Sequence, residues 1–297
     1  MLFTNTTRGG SFAKDPAVIR LNGRYFLYHS TRPTPELGLG VGIAESEDLE
    51  NWEVTGEVPL TQPCEEKGIG APAAIVLGGV VHLFYQTYGN GPKDAICHAT
   101  STDGRHFEKD PTNPIFRPTD DWCCGRAIDA DVVVFGDKLM LYFATRDHEF
   151  AVQKVGGAFA PLKSDYSRGC WRQITNGSLL TPELKWEGKC IEAPAVIEEA
   201  GSLYMFYGGS YNCTPQQIGC AVSEDGVFFR RCSSEPFLRP GEAGSWNASE
   251  SGHPYAFRDD DGRAYLFYQG SPDGGKSWYL SKVELQKEDF VAPKAID

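Results

Sequence analysis

The chain has 297 residues, of which 41% are hydrophobic and 23% are charged, as in an ordinary folded domain. Its net charge of -12 disfavours a nucleic-acid partner or an anionic membrane surface, because both attract a basic face. The 33 glycines and 19 prolines, together with 12% aromatic residues, favour many short strands joined by tight turns.

The amino-terminal stretch MLFTNTTRGGSF has no basic segment followed by an apolar one, so no signal peptide is indicated. No apolar run approaches the ~20 residues of a membrane span. The nine cysteines are odd in number and lack a paired CxxC spacing, which indicates neither a disulfide framework nor a zinc site. We therefore expect reduced thiols in a cytoplasmic protein, or a secreted protein if a signal segment has been removed.

The first predicted element is KDPAVIRLNGRYFLYHS, in which two apolar runs flank the turn Asn22-Gly23. This dipeptide between apolar runs predicts a tight β-hairpin. The pattern returns in GAPAAIVLGGVVHLFYQT, IDADVVVFGDKLMLYFATRD, EAPAVIEEAGSLYMFYGGS and HPYAFRDDDGRAYLFYQGS. Alignment of the apolar runs gives five equivalent positions at intervals of 56, 58, 64 and 60 residues, namely Asp15, Ala71, Asp129, Ala193 and His253.

Each unit continues past its hairpin into a third run. In the first four units, a serine and an acidic residue precede an aromatic one, which predicts a capped turn with the aromatic ring packed between blades. A fourth short run closes these units as EVPLTQP, NPIFRP, GSLLTP and EPFLRP. The fifth unit lacks such a run, and Met1 to Thr7 would supply its missing strand.

Four strands in each of five units predict an all-β fold, a five-bladed β-propeller with four antiparallel strands per blade. Blades that pack around a ring share one core, so residues 1–297 are expected to form a single domain.

Propeller geometry brings the start of each innermost strand to one end of the central axis. The innermost strands place there Asp15, Asp129, Glu192 and His253. The second strands run back to the same end and add Gln86, Arg146, Asp147, Tyr211 and Gln269. The segments that lead into the inner strands contribute Trp122, Arg126, Trp186 and Trp246.

Three carboxylates that face one another at the end of an axis repel and are partly desolvated, which drives their pKa values apart. One carboxyl can then stay protonated as an acid while another stays ionised as a base, as glycoside cleavage requires. Tryptophan faces suit the apolar faces of sugar rings. Taken singly, each residue has a structural explanation, such as a strand-start turn at Asp15, but their equivalence in the repeat favours a site.

The chain resembles glycoside hydrolase family 43, of the five-bladed clan F, through Asp15 in KDPAVI, Asp129 in RAIDADVVV, Glu192 in IEAPAVI and His253 in the fifth blade. The resemblance covers nearly the whole chain. It implies an inverting glycosidase with Asp15 as general base and Glu192 as general acid. Asp129 would orient the acid and tune its pKa, and His253 would lie at the axis beside a cation, such as Ca2+, or a water.

Two departures from the family pattern leave the substrate open. The second blade has GAPAA where the family often has an aromatic residue before Ala-Pro. The third blade has IDAD where IDP is usual, so Asp131 competes with Asp129 for the tuning role, although only Asp129 is at the mouth.

The resemblance implies an arabinofuranoside, xyloside or galactofuranoside linkage in an oligosaccharide or polysaccharide. We expect no cofactor to be required, and the sequence leaves the oligomeric state open. The residues expected to bind the substrate are Gln86, Trp122, Arg126, Arg146, Trp186, Tyr211, Trp246 and His253.

Two alternatives remain. A retaining fructan-type β-fructofuranosidase of the related clan would use Arg146-Asp147 as its Arg-Asp pair, but the Asp15 motif lacks the sequence Asn-Asp-Pro-Asn-Gly. The other alternative is a carbohydrate-binding propeller without turnover, which the fold alone does not exclude. The presence of both Asp15 and Glu192 argues against it.

Overall fold

The computed structural model describes residues 1–290, which form five antiparallel sheets in chain order. Within each sheet the strands are hydrogen-bonded in the order in which the chain makes them. The first strands of neighbouring sheets contact one another around a closed ring. The predicted five-bladed β-propeller is therefore confirmed.

The blades consist of nineteen strands in the described residues. Blade one contains β1 (Lys14–Leu21), β2 (Arg24–Thr34), β3 (Gly38–Ser46) and β4 (Glu53–Glu57). Blade two contains β5 (Ile69–Leu77), β6 (Val80–Thr87), β7 (Ile96–Ser101) and β8 (Glu108–Lys109). Blade three contains β9 (Ile128–Phe135), β10 (Lys138–Arg146), β11 (Gln153–Pro161) and β12 (Arg172–Gln173). Blade four contains β13 (Ile191–Glu199), β14 (Ser202–Gly209), β15 (Gln217–Ser223) and β16 (Arg230–Arg231). Blade five contains β17 (Glu250–Arg258), β18 (Ala264–Ser271) and β19 (Tyr279–Leu285).

The helical segments are single 3-10 turns in the loops, at Pro63–Glu65, Gly91–Lys93, Arg168–Cys170, Lys185–Glu187 and Lys287–Asp289. None of the helices in residues 1–290 has the length and apolar character that a bilayer crossing needs. All nine cysteines are free thiols.

The hairpin of blade one has the turn that its sequence predicts. Asn22 and Gly23 have φ angles of 51° and 80°, and Leu21 pairs with Arg24 across them. Two consecutive positive φ angles define the primed turn whose twist matches that of the flanking strands. The Asn-Gly pair is suited to this turn because both residues tolerate the left-handed conformation.

Each innermost strand contains a left-handed residue close to its start. Positive φ angles of 52°, 42°, 49°, 49° and 40° occur at Asp15, Ala71, Asp129, Ala193 and His253. The register to the second strand shifts at each of these points, as at a β-bulge. A bulge bends its strand and turns a side chain in a new direction. The structure thus confirms the repeat alignment and gives the five positions one backbone conformation.

The fourth strands of blades one to four lie earlier in the chain than predicted, and in blade one the predicted run EVPLTQP overlaps β4 only at Glu57. They begin directly after the aromatic residue of each third run, and the predicted runs NPIFRP, GSLLTP and EPFLRP follow them. These runs instead form single bridges to the third strands, at Ile96 with Phe116, Val155 with Leu180 and Ile218 with Leu238.

The reason for this difference is the turn after the third strand. In blade two, the hydroxyl of Ser101 accepts the N–H of Gly104, and Asp103 accepts the N–H groups of Arg105 and His106. The chain therefore reverses within a few residues, and the segment after Phe107 pairs at once. Turns of the predicted serine-acid type are present, and they end the third strands earlier than the apolar pattern indicated.

The ring closes through the amino terminus, as predicted from the missing fourth strand of unit five. Phe3 and Leu280 exchange backbone hydrogen bonds of 2.9 and 2.8 Å as an antiparallel pair. The Ser281 hydroxyl donates to the carbonyl of Met1 at 2.7 Å. The Phe3 ring is buried and meets the His29 ring edge-on at 5.1 Å. The first and last blades are thus joined by residues from opposite ends of the chain.

Second-strand aromatic residues pack between the blades. The buried Tyr28 hydroxyl donates to the carbonyl of Gly104 in blade two at 3.0 Å. The Tyr142 hydroxyl donates to the carbonyl of Gly226 in blade four at 2.9 Å. Each tyrosine therefore contributes apolar area to the core and a hydrogen bond to the next blade.

We expect Phe3→Ala to lower the free energy of unfolding by about 3–5 kcal/mol, because it removes a buried ring from the seam that closes the propeller. Leu2→Ala is the matched control, since Leu2 is 55% exposed, and its effect should stay within about 0.5 kcal/mol. Thermal unfolding of both variants measures the difference. Equal melting temperatures would show that the amino-terminal seam does not support the ring.

Candidate active site

Four polar side chains meet at one end of the propeller axis. Asp129, Glu192 and His253 are 8%, 5% and 6% exposed, and the Asp15 side chain is 13% exposed. The left-handed bulges turn Asp15, Asp129 and His253 toward the axis, and Glu192 comes one residue before the bulge residue Ala193. The structure therefore brings together the four residues that the repeat placed on one ring.

His253 lies between two carboxylates. Its Nδ1 is 2.7 Å from Asp15 Oδ1, and its Nε2 is 3.2 Å from Glu192 Oε1. Nε2 is hydrogen-bonded to Glu192, whereas Nδ1, although close to Asp15, makes no hydrogen bond in the described residues, so it is the negative charge on both sides of the ring that favours an imidazolium. One imidazole ring is thus the spacer between Asp15 and Glu192.

The electrostatics of this trio follow from burial and charge. Burial alone would lower the pKa of His253, but the Asp15 and Glu192 carboxylates raise it well above its ordinary value. Burial would raise the pKa of Asp15, but His253 and the ammonium of Lys14 hold it well below its usual range. Asp15 is therefore ionised at neutral pH.

Asp129 and Glu192 form a coupled pair in which the two pKa values diverge. Burial raises the pKa of Asp129 to about 7, and the Glu192 and Asp15 charges add to the effect while His253 opposes it. Burial also acts to raise the pKa of Glu192, but hydrogen bonds from His253 and Gln216 outweigh it and lower that pKa. Below about pH 7 the unliganded pair therefore holds one proton, which lies mainly on Asp129.

Backbone N–H groups at the bulges are satisfied by side chains from other strands. Gln86 Oε1 accepts the N–H of Asp129 at 2.6 Å, and Gln269 Oε1 accepts the N–H of Asp15 at 3.1 Å. Gln86, which was predicted to bind the substrate, thus also fixes the backbone of Asp129. A bulge removes an N–H from the strand ladder, so these acceptors offset the cost of burying it.

Two cations balance the carboxylates from the rim. Lys14 lies 4.4 Å above the Trp278 ring and donates to Asn212 Oδ1 at 3.3 Å. The half-buried Arg126 acts on Asp129 by lowering its pKa, and one of its NH2 groups is 3.5 Å from an Asp94 oxygen. Arg126 is thus placed beside a carboxyl of the site.

Arg146 lies at the rim between two aromatic rings. Its guanidinium carbon is 5.4 Å from the centre of the Phe150 ring and 5.3 Å from that of Tyr211. Its Nε donates to Gln153 Oε1 at 2.6 Å. The neighbouring Asp147 accepts the N–H groups of Ala151 and Val152, so its carboxylate caps its own loop.

The three predicted tryptophans pack on the second strands of their blades. Trp186 stacks on Tyr207 at 6.1 Å, and its indole N–H donates to the carbonyl of Ser234. Trp246 packs on Tyr268 at 5.4 Å. Trp122 packs against Phe143 at 6.5 Å. All three are half-buried in these contacts.

Asp131 is placed below the mouth. Its Oδ2 accepts the N–H of Val196 in blade four at 2.6 Å. It also lines an axial cavity of about 20 Å³, where Tyr255 is a further wall. Such a volume holds about one water. Asp129 also lines this cavity, but its carboxylate lies close to Glu192 and His253.

A cation site was expected beside His253. Ligand-type atoms of Asp129, Glu192 and His253 lie within 4.8 Å of one another. A metal ligand must present a nitrogen lone pair, but Nε2 already meets Glu192 Oε1 at 3.2 Å, and the Asp15 and Glu192 carboxylates favour a proton on each ring nitrogen. His253 as placed therefore fits an imidazolium between carboxylates and does not fit a metal ligand.

Sequence reasoning missed three polar residues of the site, Gln153, Gln216 and Glu250, all of which are fully buried. Gln153 and Gln216 donate to Glu192. Glu250 accepts from the Gln269 amide at 2.6 Å, which fixes the cap of the Asp15 backbone. Their only sequence signal is a polar residue beside an otherwise apolar strand, which is too common to single them out.

Glycosyl hydrolases family 43 matches the chain over residues 9–291. A thermostable family-43 glycoside hydrolase of known structure is 22% identical, with a TM-score of 0.76 over 97% of this chain and 95% of that chain. An endo-1,4-beta-xylanase from Bacteroides thetaiotaomicron VPI-5482 is 22% identical, with a TM-score of 0.71 over 92% and 90%. A GH32 beta-fructofuranosidase from Bombyx mori is 18% identical, with a TM-score of 0.70 over 92% and 60%. No curated protein sequence matches the chain. At these identities the structural likenesses show the fold alone.

We expect Asp131→Asn to become increasingly stabilising as the pH rises from 4 to 7. Burial raises the pKa of Asp131 from 3.8 to about 7, so its contribution to stability is complete below pH ~4 and is lost as the pH rises through ~7. Asparagine keeps an oxygen for the Val196 N–H and does not titrate. Between pH 4 and pH 7, the melting temperature of the variant minus that of the wild type should rise by several degrees. In a domain of this size, 1 kcal/mol of unfolding free energy corresponds to ~2–4 °C.

The exposed Asp137, whose side chain makes no hydrogen bond within residues 1–290, gives the matched control Asp137→Asn. Melting curves of wild type and both variants at pH 5, 6, 7 and 8 make the comparison. If the Asp131→Asn curve stays parallel to that of the wild type, Asp131 does not titrate in this range.

Proposed function

The chain belongs to glycosyl hydrolases family 43 and is a glycoside hydrolase, and on this basis we propose that it is an inverting enzyme for furanoside or pentoside linkages. The substrates proposed are arabinofuranosides, xylosides or galactofuranosides within an oligosaccharide or polysaccharide. Asp15 is the general base and Glu192 the general acid in this proposal.

The observation that carries the proposal is the arrangement of Asp15 and Glu192 on opposite sides of the His253 ring. An inverting glycosidase needs two carboxyl groups far enough apart to admit a water beside the sugar, at ~6.5–9.5 Å. A rigid imidazole between the two groups keeps them from approaching each other. The arrangement therefore supports the inverting geometry over the ~5–5.5 Å pair of a retaining enzyme.

Asp15 suits the base because it stays ionised. His253 and Lys14 hold its pKa well below the usual range against the effect of burial. Its backbone is fixed by Gln269, whose Oε1 accepts the Asp15 N–H. The carboxylate can thus accept a proton from a water that attacks the anomeric carbon.

Glu192 receives its proton through its coupling to Asp129. The pair holds one proton below about pH 7, because burial and mutual repulsion raise the pKa of Asp129 to about 7. We propose that a sugar at the mouth shifts this shared proton to Glu192, which passes it to the leaving oxygen. Asp129 then takes the negative charge of the pair, and this is the tuning role that the resemblance implies.

The substrate class draws support from the neighbours and from the rim. One structural neighbour is an endo-1,4-beta-xylanase, and xylose is a pentose. Arg126, Arg146 and Tyr211 offer donors and a ring at the mouth, and we propose that they contact the sugar. We further propose that hydrolysis needs no cofactor, since His253 supplies the positive charge between the two carboxylates.

We expect the first-formed sugar to have the opposite anomeric configuration to the substrate. Nitrophenyl arabinofuranoside, xyloside and galactofuranoside serve as a substrate panel, and the anomeric proton signal is followed by NMR in the first minutes, before mutarotation. Inversion supports a water activated by Asp15. Retention would mean that Asp15 attacks the sugar itself, as in a fructan-type retaining enzyme, and hydrolysis of none of the panel would remove the substrate class.

Replacement of Glu192 by Gln should reduce hydrolysis of a substrate with a poor leaving group by about a hundredfold or more, because proton donation is lost. A substrate with an acidic phenol leaves without a proton and should lose much less. Glu198→Gln is the control, because Glu198 is exposed on the same strand, β13. Steady-state rates on both substrates decide the matter, and equal losses would exclude Glu192 as the acid.

A further inference from the structure

Both oxygens of Glu192 are held by glutamine amides. Gln216 Nε2 donates to Glu192 Oε1 at 2.6 Å, and Gln153 Nε2 donates to Glu192 Oε2 in a short hydrogen bond. Both glutamines are fully buried. Each oxygen of the carboxyl group therefore accepts a hydrogen bond from an amide that is shielded from solvent.

The orientation of each amide is set by a donor at its other end. Gln153 Oε1 accepts from Arg146 Nε at 2.6 Å, and Gln216 Oε1 accepts the backbone N–H of His253 at 3.2 Å. An amide oxygen can only accept and its nitrogen can only donate. Because Nε of an arginine and a backbone N–H are fixed donors, both amide nitrogens must face Glu192.

The two glutamines occur in the two blades whose second strand has a small residue where the other blades have a serine or glutamine. The second-strand residue opposite the site is a serine or glutamine in blades one, two and five, namely Ser30, Gln86 and Gln269. Each of these accepts the backbone N–H of the left-handed residue in the following blade. In blades three and four the equivalent residues are Ala144 and Gly208, which pair with Ile128 and Glu192.

These small residues leave room for side chains from the third strands. Gln153 is the first residue of β11, and Gln216 immediately precedes β15. A Cβ atom on Gly208 would lie 3.0 Å from Gln216 Cδ, and one on Gly252 would lie 1.8 Å from Gln216 Oε1. Glycine at these two positions is thus what admits the Gln216 amide. The site for this side chain is built into the backbone.

We propose that Gln153 and Gln216 are positioning residues for the hydrolysis, and that together they hold the Glu192 carboxyl and stabilise the charge it gains when its proton leaves. This inference rests on the proposed function of Glu192 as the acid. Fixed donors aimed at a group that becomes charged in the transition state need no reorganisation at the moment of reaction. Arg146 acts through Gln153 because it fixes that amide.

Loss of either amide should therefore raise the pKa of Glu192, since hydrogen bonds to the charged form favour that form. Gln216 is named among the groups that lower this pKa. The charged and titratable groups that surround Glu192 stay in place in the variants. They are Lys14, Asp15, Asp129, Arg146, Cys190, Tyr211, Glu250 and His253.

The test uses Gln153→Met and Gln216→Met, which keep the volume and remove the amide. We expect the pKa of the Glu192 carboxyl to rise by about one unit in each variant, the size that loss of one hydrogen bond to a charged group allows, while the basic limb of the pH profile of kcat/KM, which follows the proton shared with Asp129, stays in place. We also expect kcat on a poor leaving group to fall about tenfold, with a smaller loss on an acidic phenol. The matched control is Gln217→Met, because Gln217 is half-buried and makes no side-chain hydrogen bond in the described residues.

A measurement without substrate separates this proposal from the proposed function. The carboxyl carbon of Glu192, assigned by comparison with Glu192→Gln, is titrated by 13C NMR in the full chain. We expect its pKa to rise in Gln153→Met and Gln216→Met whether or not any glycoside of the panel is cleaved. An unchanged pKa in both variants, or an equal rise in Gln217→Met, would contradict the positioning role of Gln153 and Gln216. Neither result would bear on the proposal that Glu192 is the general acid.

Arg146→Lys, which keeps the positive charge and removes the Nε donor to Gln153, keeps the proposal open to refutation if a glutamine variant does not fold. The Gln153 amide loses its fixed orientation in this variant, so the pKa of Glu192 should rise by a smaller amount in the same direction. A fall in the pKa of Glu192, or no change in it, would contradict the role given to Gln153.

Discussion

The whole site depends on one backbone constraint, a left-handed residue at the start of every inner strand. A non-glycine residue in this conformation costs about 1–3 kcal/mol, and the bulge frees its N–H from the ladder. In four of the five blades a side chain from another strand accepts that N–H, as Gln86 does for Asp129 and Gln269 does for Asp15. All four of these contacts cross from one blade to the next. The same hydrogen bonds therefore hold neighbouring blades together and fix the backbone of the site.

The second constraint is charge. The chain carries a net charge of -12 and still buries several carboxyl groups at one end of its axis. His253 and Lys14 offset this cost by their positive charge, while Asp129 avoids it by holding a proton near neutral pH. Burial acts in the same direction on every carboxyl, so nearby positive charge at Asp15 and hydrogen bonds at Glu192 decide which carboxyls are ionised. Glu192, which accepts from two amides and an imidazole, is the carboxyl that the hydrogen bonds favour.

A shared fold leaves the sugar open. An endo-1,4-beta-xylanase and a GH32 beta-fructofuranosidase superpose on this chain with TM-scores of 0.71 and 0.70. The ring of strands therefore does not select the substrate, and selection must come from side chains at the mouth. Arg146 is a candidate for substrate selection, and its side chain is held in place. Phe150 and Tyr211 flank its guanidinium, and its Nε donates to Gln153. The same residue thus connects the rim of the site to Glu192, the proposed acid.

The sequence by itself determined the number of blades, the Asn22-Gly23 turn and the four polar residues of the axis, because these follow from local patterns that repeat. It misplaced the fourth strands of blades one to four, since a serine-acid turn reverses the chain sooner than an apolar run suggests. Only the tertiary structure showed that Gln153 and Gln216 fill the space left by two small residues on neighbouring strands. It also decided which carboxyl carries the proton. Both outcomes depend on distances between blades, and residues far apart in the chain carry no local signal of those distances.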